Sequence, residues 1–161
     1  EQERVLMKRE DLINELQVLT AGRAAEELIF STCTSGASND IEKATAIARN
    51  MIARFGMNDE IGMMALDTVV NPYLGGELRT NCSPESAAKV EREMHRLITE
   101  AYETAKQILR DNAASLNRLS QYLLENENIS GDEFMELLKQ GELADSASNE
   151  TTPESSETTQ E

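Results

Sequence analysis

The sequence has no tryptophan, three prolines, two cysteines and a single histidine among 161 residues. Aromatic residues make up only 4% of it, which excludes a sheet-dominated core rich in aromatic and β-branched side chains. Ala, Leu, Ile and Met must fill the interior instead, and those residues favour packed helices. Basic residues are also scarce: 15 Lys and Arg face 30 Asp and Glu, a net charge of −15. Binding to nucleic acid needs clustered cations against the phosphates, so that class is excluded. No apolar run approaches the roughly 20 residues that a membrane span needs, and no signal-peptide pattern opens the chain. Cys33 and Cys82 lie far apart and outside any CxxC pairing. That argues against a disulfide framework and for a reducing compartment, with both thiols structural. The chain opens on Glu1, and the expectation is a piece of a longer polypeptide.

What is present is helical periodicity. Leu12, Ile13, Leu16, Leu19, Ala24, Ala25, Leu28 and Ile29 predict a helix from Lys8 to Phe30, with Gly22 a cost of about 1 kcal/mol inside it unless close packing compensates. After a polar loop, Ser31–Ser38, the pair Asn39 and Glu42 predicts a capped helix start. Ile41, Ala44, Ile47, Ala48, Met51, Ile52 and Phe55 continue that helix, and Gly56 ends it. The segment Met63–Val70 is short, apolar and broken by Asn71-Pro72, which predicts at most one short strand and a turn. Ser83-Pro84 marks the next helix start, and Val90, Met94, Leu97, Ile98, Ala101, Tyr102, Ala105, Ile108 and Leu109 trace its apolar face. Asp111-Asn112 breaks the run, and Leu116, Leu119, Tyr122, Leu123 and Leu124 mark a fourth helix. Ser130 and Glu133 form a capping box before a last short one bearing Phe134, Leu137 and Leu138. The expected fold is a mainly α helical bundle over Glu1–Gly141. Glu142–Glu161 carries six acids and no base, and it is expected to be a disordered acidic tail.

No complete active site is legible. An HExxH zinc motif needs two histidines one turn apart, and the chain has only His95, flanked by Glu91, Arg92, Glu93 and Arg96, which suits a surface position. There is no phosphate-cradling G-x-x-x-x-G-K-[ST] loop and no G-x-S-x-G elbow. The informative stretch is Thr34–Thr45, TSGASNDIEKAT, a small Gly-containing loop opening a helix with Asn39-Asp40. Asp40 in a first turn complements the helix dipole. The same carboxylate could also serve as a ligand to a site whose other members lie elsewhere.

Several blocks in order resemble the peptidase domain of FtsH-type proteases: Gly22–Phe30 (GRAAEELIF), Thr34–Ile41 (TSGASNDI) with Ala44-Thr45, Ala48-Arg49-Asn50-Met51, Phe55-Gly56-Met57, Tyr73-Leu74-Gly75 and Ala101–Ala105 (AYETA). The resemblance spans roughly Arg4 to Gly141. It implies part of an ATP-dependent zinc metalloendopeptidase of protein quality control, degrading unfolded or membrane proteins. In that family a membrane-anchored AAA+ motor forms a hexamer on the cytoplasmic side and feeds chains to a peptidase ring. Zinc is held there by the two histidines of HExxH and by an aspartate that corresponds to Asp40. Glu26, Glu27 and Asn39 would lie beside that site, and Met64, Ala65 and Leu66 would lie near a strand along which extended substrate runs. The HExxH segment and the ATPase module, with its ATP and Mg, are not in these 161 residues, so neither bound zinc nor catalysis is expected of this segment alone, nor membrane contact. Ser31 stands where the family usually has Gly, and Met63 where Pro is frequent. The alternative expectation is a non-catalytic helical interaction module derived from the same scaffold.

Overall fold

The computed structural model describes residues 6–70 and 77–139. The expected acidic tail from Glu142, the boundary at Gly141 and the Tyr73-Leu74-Gly75 block lie outside the described residues. The architecture is mainly α, as the composition requires. The chain divides into two compact units at Arg110/Asp111, and each is described by itself.

The first unit holds α1 (Arg9–Phe30), a three-residue 3-10 turn (Ser35–Ala37), α2 (Ser38–Ala53), a hairpin of β1 (Asp67–Val70) and β2 (Glu77–Thr80), and α3 (Pro84–Asp111), whose last residue crosses the division. α1 starts where Lys8 donates its backbone N–H to the Asp11 carboxylate at 2.9 Å, and Glu10 and Asp11 place negative charge at its positive end. Its buried face is Leu12, Leu16, Thr20 and Ala24, one residue every four. Thr20 is tolerated there because its hydroxyl donates to the Leu16 carbonyl at 2.9 Å. A Cβ on Gly22 would meet no atom within 4 Å, so among the described residues no close packing offsets that glycine's helix cost.

α2 buries Ala44, Ala48, Met51, Ile52 and Ala53 against Leu12 and Leu16, with Val90, Met94, Leu97 and Ala101 of α3 closing the same core. Ile41 and Phe55, expected on the apolar stripe, are about half exposed. The helix ends at Ala53 with Arg54 as its C-cap, two residues before Phe55, and Gly56 follows at φ +64°, where a Cβ would sit 3.3 Å from the Met63 Cα. α3 begins at Pro84, and Ser83 accepts the Ser86 N–H at 3.2 Å as its cap.

The single expected strand is half of a hairpin. β1 and β2 pair antiparallel in the register Asp67 to Thr80, Thr68 to Arg79, Val69 to Leu78 and Val70 to Glu77. An ion pair anchors it. Arg49 donates Nε to Asp67 Oδ2 at 2.5 Å and Nη2 to Oδ1 at 3.2 Å, and the same Nη2 reaches Thr80 Oγ1 at 2.9 Å. One guanidinium therefore joins α2 to both strands.

The second unit contains α4 (Ala113–Asn126) and a helix over 131–139, here α5. The Ser130 capping box is present: its N–H donates to Glu133 Oε2 at 2.9 Å and the Glu133 N–H returns to Ser130 Oγ at 3.3 Å. Tyr122 of α4 donates its hydroxyl to Glu133 Oε1 at 3.2 Å, tying the two helices together.

The Asp67 side chain is 1% exposed and that of Arg49 35%. Burial alone would raise the Asp67 carboxyl, but the Arg49 and Thr80 contacts outweigh it and hold the group below its ordinary value. Asp67→Asn should destabilise the first unit by about 3 kcal/mol in urea unfolding at neutral pH, because it leaves a guanidinium facing a buried neutral amide. Because the folded-state carboxyl is the stronger acid, its contribution is complete above the unfolded value of about 3.9 and is lost as pH falls through the depressed folded value. The variant should flatten that part of the acid-unfolding profile.

Candidate functional site

Asp40 is the third residue of α2, in the first turn, where the helix dipole favours a carboxylate. Its side chain is 44% exposed, and its charged partner among the described residues is Lys43 Nζ at 3.9 Å. A carboxylate so lightly engaged can take a ligand without first breaking a strong interaction. The helix starts earlier than the Asn39/Glu42 pattern predicts. Ala37 is the N-cap and makes no side-chain cap bond, so Asn39 is already helical. The reason is the 3-10 turn, which runs directly into α2 and takes over the capping: Thr34 Oγ1 accepts the Gly36 N–H at 3.1 Å.

Glu26 and Glu27, adjacent in sequence, do different work. Glu26 turns to the loop, accepting the Thr34 N–H at 3.1 Å on Oε2 and the Thr34 hydroxyl at 2.6 Å on Oε1. Those bonds, with smaller help from Arg23, hold its carboxyl below the ordinary range. Glu27 turns to α3, accepting Lys106 Nζ at 2.8 Å and the Tyr102 hydroxyl. Lys106 and then Tyr102 depress its carboxyl in turn. Both glutamates are therefore committed to protein groups.

A mostly apolar groove of about 270 Å³ opens among α1, α2 and α3, with Leu19, Thr20, Ile41, Ala44, Ile98 and Tyr102 among its lining. His95 is exposed at its margin, the surface position that its charged neighbours suggest. Cys33 is exposed on the loop, whereas Cys82 packs partly buried against the core.

Met64 and Ala65 precede β1 and are exposed, with Met64 at 58%. Leu66 is buried, and its backbone is used within the chain: its N–H donates to the Ala53 carbonyl and its own carbonyl accepts the Asn81 N–H, both at 2.8 Å. The strand begins one residue later.

Among the described residues, no three His, Cys, Asp or Glu side chains gather closely enough to hold a metal ion. Asp40 fits a zinc shell as one hard oxygen donor, and the shell needs further donors beyond the described residues. Sequence reasoning missed Arg23, Thr34, Tyr102 and Lys106 as members of this region. A Thr two residues before Gly in a helix-opening loop was a usable local signal for Thr34. The Glu27–Lys106 contact spans 79 residues and had none.

Comparison with known proteins fits this arrangement. The sequence profile of Peptidase family M41 matches residues 1–137. The chain belongs to that family. It is 45% identical over 137 residues to the ATP-dependent zinc metalloprotease FtsH of Lancefieldella parvula, covering 85% of this chain and 21% of the relative. It is 44% identical to the protein of the same name from Clostridium perfringens, covering 86% and 19%, and 41% identical to that of Thermotoga maritima, covering 87% and 23%. The chain thus spans about a fifth of the length of these curated relatives.

Ser31 closes α1 in the left-handed region at φ 50°, its N–H donating to the Glu27 carbonyl at 3.1 Å. A Cβ in that conformation costs about 1 kcal/mol or slightly more. Ser31→Gly should therefore raise the stability of the first unit by about 1 kcal/mol, read as a higher urea midpoint with unchanged m-value.

Proposed function

We propose that this chain supplies the carboxylate ligand of a zinc centre, Asp40, to an ATP-dependent zinc metalloendopeptidase. The observation that carries the reading is Asp40 itself. It is a lightly paired carboxylate on the first turn of a well-packed helix, inside the TSGASND block of a chain that matches the M41 family over most of its length. The histidine donors, the general base and the ATPase module belong to polypeptide outside these 161 residues. When bound, zinc supplies Lewis-acid activation of water for peptide hydrolysis.

The chain's own residues have separate tasks. α2 presents Asp40 from a rigid element, anchored by the fully buried Ala48 and Met51. Glu26 and Glu27 brace the loop and α3 and leave the metal to Asp40. Exposed Met64 and Ala65 beside β1 offer the surface that an extended, unfolded substrate would meet, while Leu66 serves the core. Neighbouring copies in a hexameric ring, and a membrane anchor on the parent that leaves this segment on the cytoplasmic side, complete the reading. Among the described residues no helix is long and apolar enough to cross a membrane.

The 161-residue chain, titrated calorimetrically with Zn²⁺, should bind weakly or not at all, and Asp40→Ala should behave the same, because one carboxylate is not a zinc site. It should not degrade casein with zinc and ATP present. In the longer polypeptide that carries the histidines, Asp40→Ala should weaken zinc binding by more than about 100-fold, beyond the 10–100-fold of a change that only touches a ligand's neighbours, and abolish proteolysis. Full zinc occupancy in that variant would overturn the assignment. Absence of any HExxH partner in the parent gene would favour the non-catalytic interaction module.

A further inference from the structure

We infer that Arg23, Glu26 and Thr34 form a positioning clamp that fixes where α2 begins and so sets the Asp40 carboxylate for metal binding. This rests on the zinc reading of Asp40 and adds residues to it.

Every polar group of Thr34 is accounted for. Its N–H and hydroxyl both go to Glu26, at 3.1 and 2.6 Å, and its carbonyl accepts Arg23 Nη1 at 3.2 Å. Arg23 and Glu26 are one turn apart on α1, with Arg23 Nη1 3.8 Å from Glu26 Oε2. A single turn of α1 therefore grips the loop at one residue through three bonds, two of them to a carboxylate and one from a guanidinium. Such charge-assisted bonds are shorter and about twice as strong as neutral ones.

From that grip to Asp40 the backbone has no irregular residue. Thr34 Oγ1 caps Gly36, the 3-10 turn occupies Ser35–Ala37, and α2 follows at once from Ser38. Ala37, the last residue of that turn, is buried at 7% exposure. A Cβ on Gly36 would stand 3.2 Å from Thr34 Oγ1, close enough to press on the hydroxyl that makes the grip. Among the described residues Asp40 has no comparably firm contact of its own, since Lys43 is exposed and 3.9 Å away. Its place is inherited from the start of α2, and that start is inherited from Thr34. Metal–ligand distances tolerate only about 0.2 Å, so a small slip in the first turn matters to a metal and little to the core. With both oxygens bonded to Thr34, Glu26 acts here as a positioning residue.

The test measures zinc release to a chelator from the intact, zinc-loaded polypeptide containing this chain. Thr34→Val and Glu26→Gln should release zinc about 10–100-fold faster, as expected when a ligand's support is removed. Thr34→Ser, which keeps the hydroxyl, should restore slow release. Thermal unfolding of the metal-free proteins should differ little. Release at the unmodified rate from Thr34→Val, with Asp40→Asn losing its zinc, overturns the clamp and leaves the ligand assignment intact. Retention by Asp40→Asn overturns both. In the 161-residue chain itself, which needs no metal, Thr34→Val should shift the amide resonances of Gly36, Asn39 and Asp40 and speed Gly36 exchange. Unchanged Asn39 and Asp40 resonances would refute the inference.

Discussion

The first unit depends on how closely α1 and α2 can approach. The core face of α2 is built on Ala44, Ala48 and Ala53, each at 1% exposure or less, with Met51 and Ile52 filling the space around them. Side chains that small let two helical backbones approach closely. That closeness sets the geometry of the connection. Only Ser31–Ala37 separates the two helices, so the loop has to fold back on the last turns of α1. Thr34 thereby comes within hydrogen-bond reach of Arg23 and Glu26. α3 completes the same core with longer side chains, Met94 and Leu97, from a greater distance.

A chain with a net charge of −15 must allocate its few cations carefully. In the first unit each well-placed cation joins two elements. Arg49 ties α2 to both strands, Lys106 ties α3 to Glu27 on α1, Lys89 reaches the Glu60 carbonyl at 2.7 Å, and Arg23 holds the loop. Arg96 is spent locally on Glu93 and Glu100 of its own helix. Among the described residues Asp40 receives only Lys43, an exposed neighbour three residues on whose contact is worth a few tenths of a kcal/mol at most, roughly what a solvated i,i+3 pair gives. The contrast separates Asp40 from the structural acids. Asp67, Glu26 and Glu27 are held below their ordinary carboxyl range by committed partners, with which any further ligand would compete.

The helices were legible because burial repeats every three or four residues along them. α1 was placed to within a residue, and Pro84 and Ser130 declared the starts of α3 and α5 through local chemistry that needs no tertiary context. The single strand foreseen in Met63–Val70 became a hairpin because β2 is the four residues ELRT, too short and too polar to show a period of two. Its position depends on Arg49, thirty-one residues away from Thr80, and no local pattern encodes that bond. The start of α2 was misplaced for a related reason. Asn39 and Glu42 satisfy the spacing of a capping box, but the 3-10 turn before them comes first, and its N-cap Thr34 is bonded to a carboxylate on α1. Ile41 and Phe55 continue the apolar rhythm of α2 and yet are about half exposed, since that rhythm reports what a helix can bury and not what this chain alone provides to cover it. The candidate site divides in the same way. Asp40 came from a family block read in one dimension, whereas the residues that hold it in place are gathered only by the packing of α1 against α2. A candidate ligand can be named from its own neighbours in sequence, but the contacts that surround its helix start come only from tertiary packing.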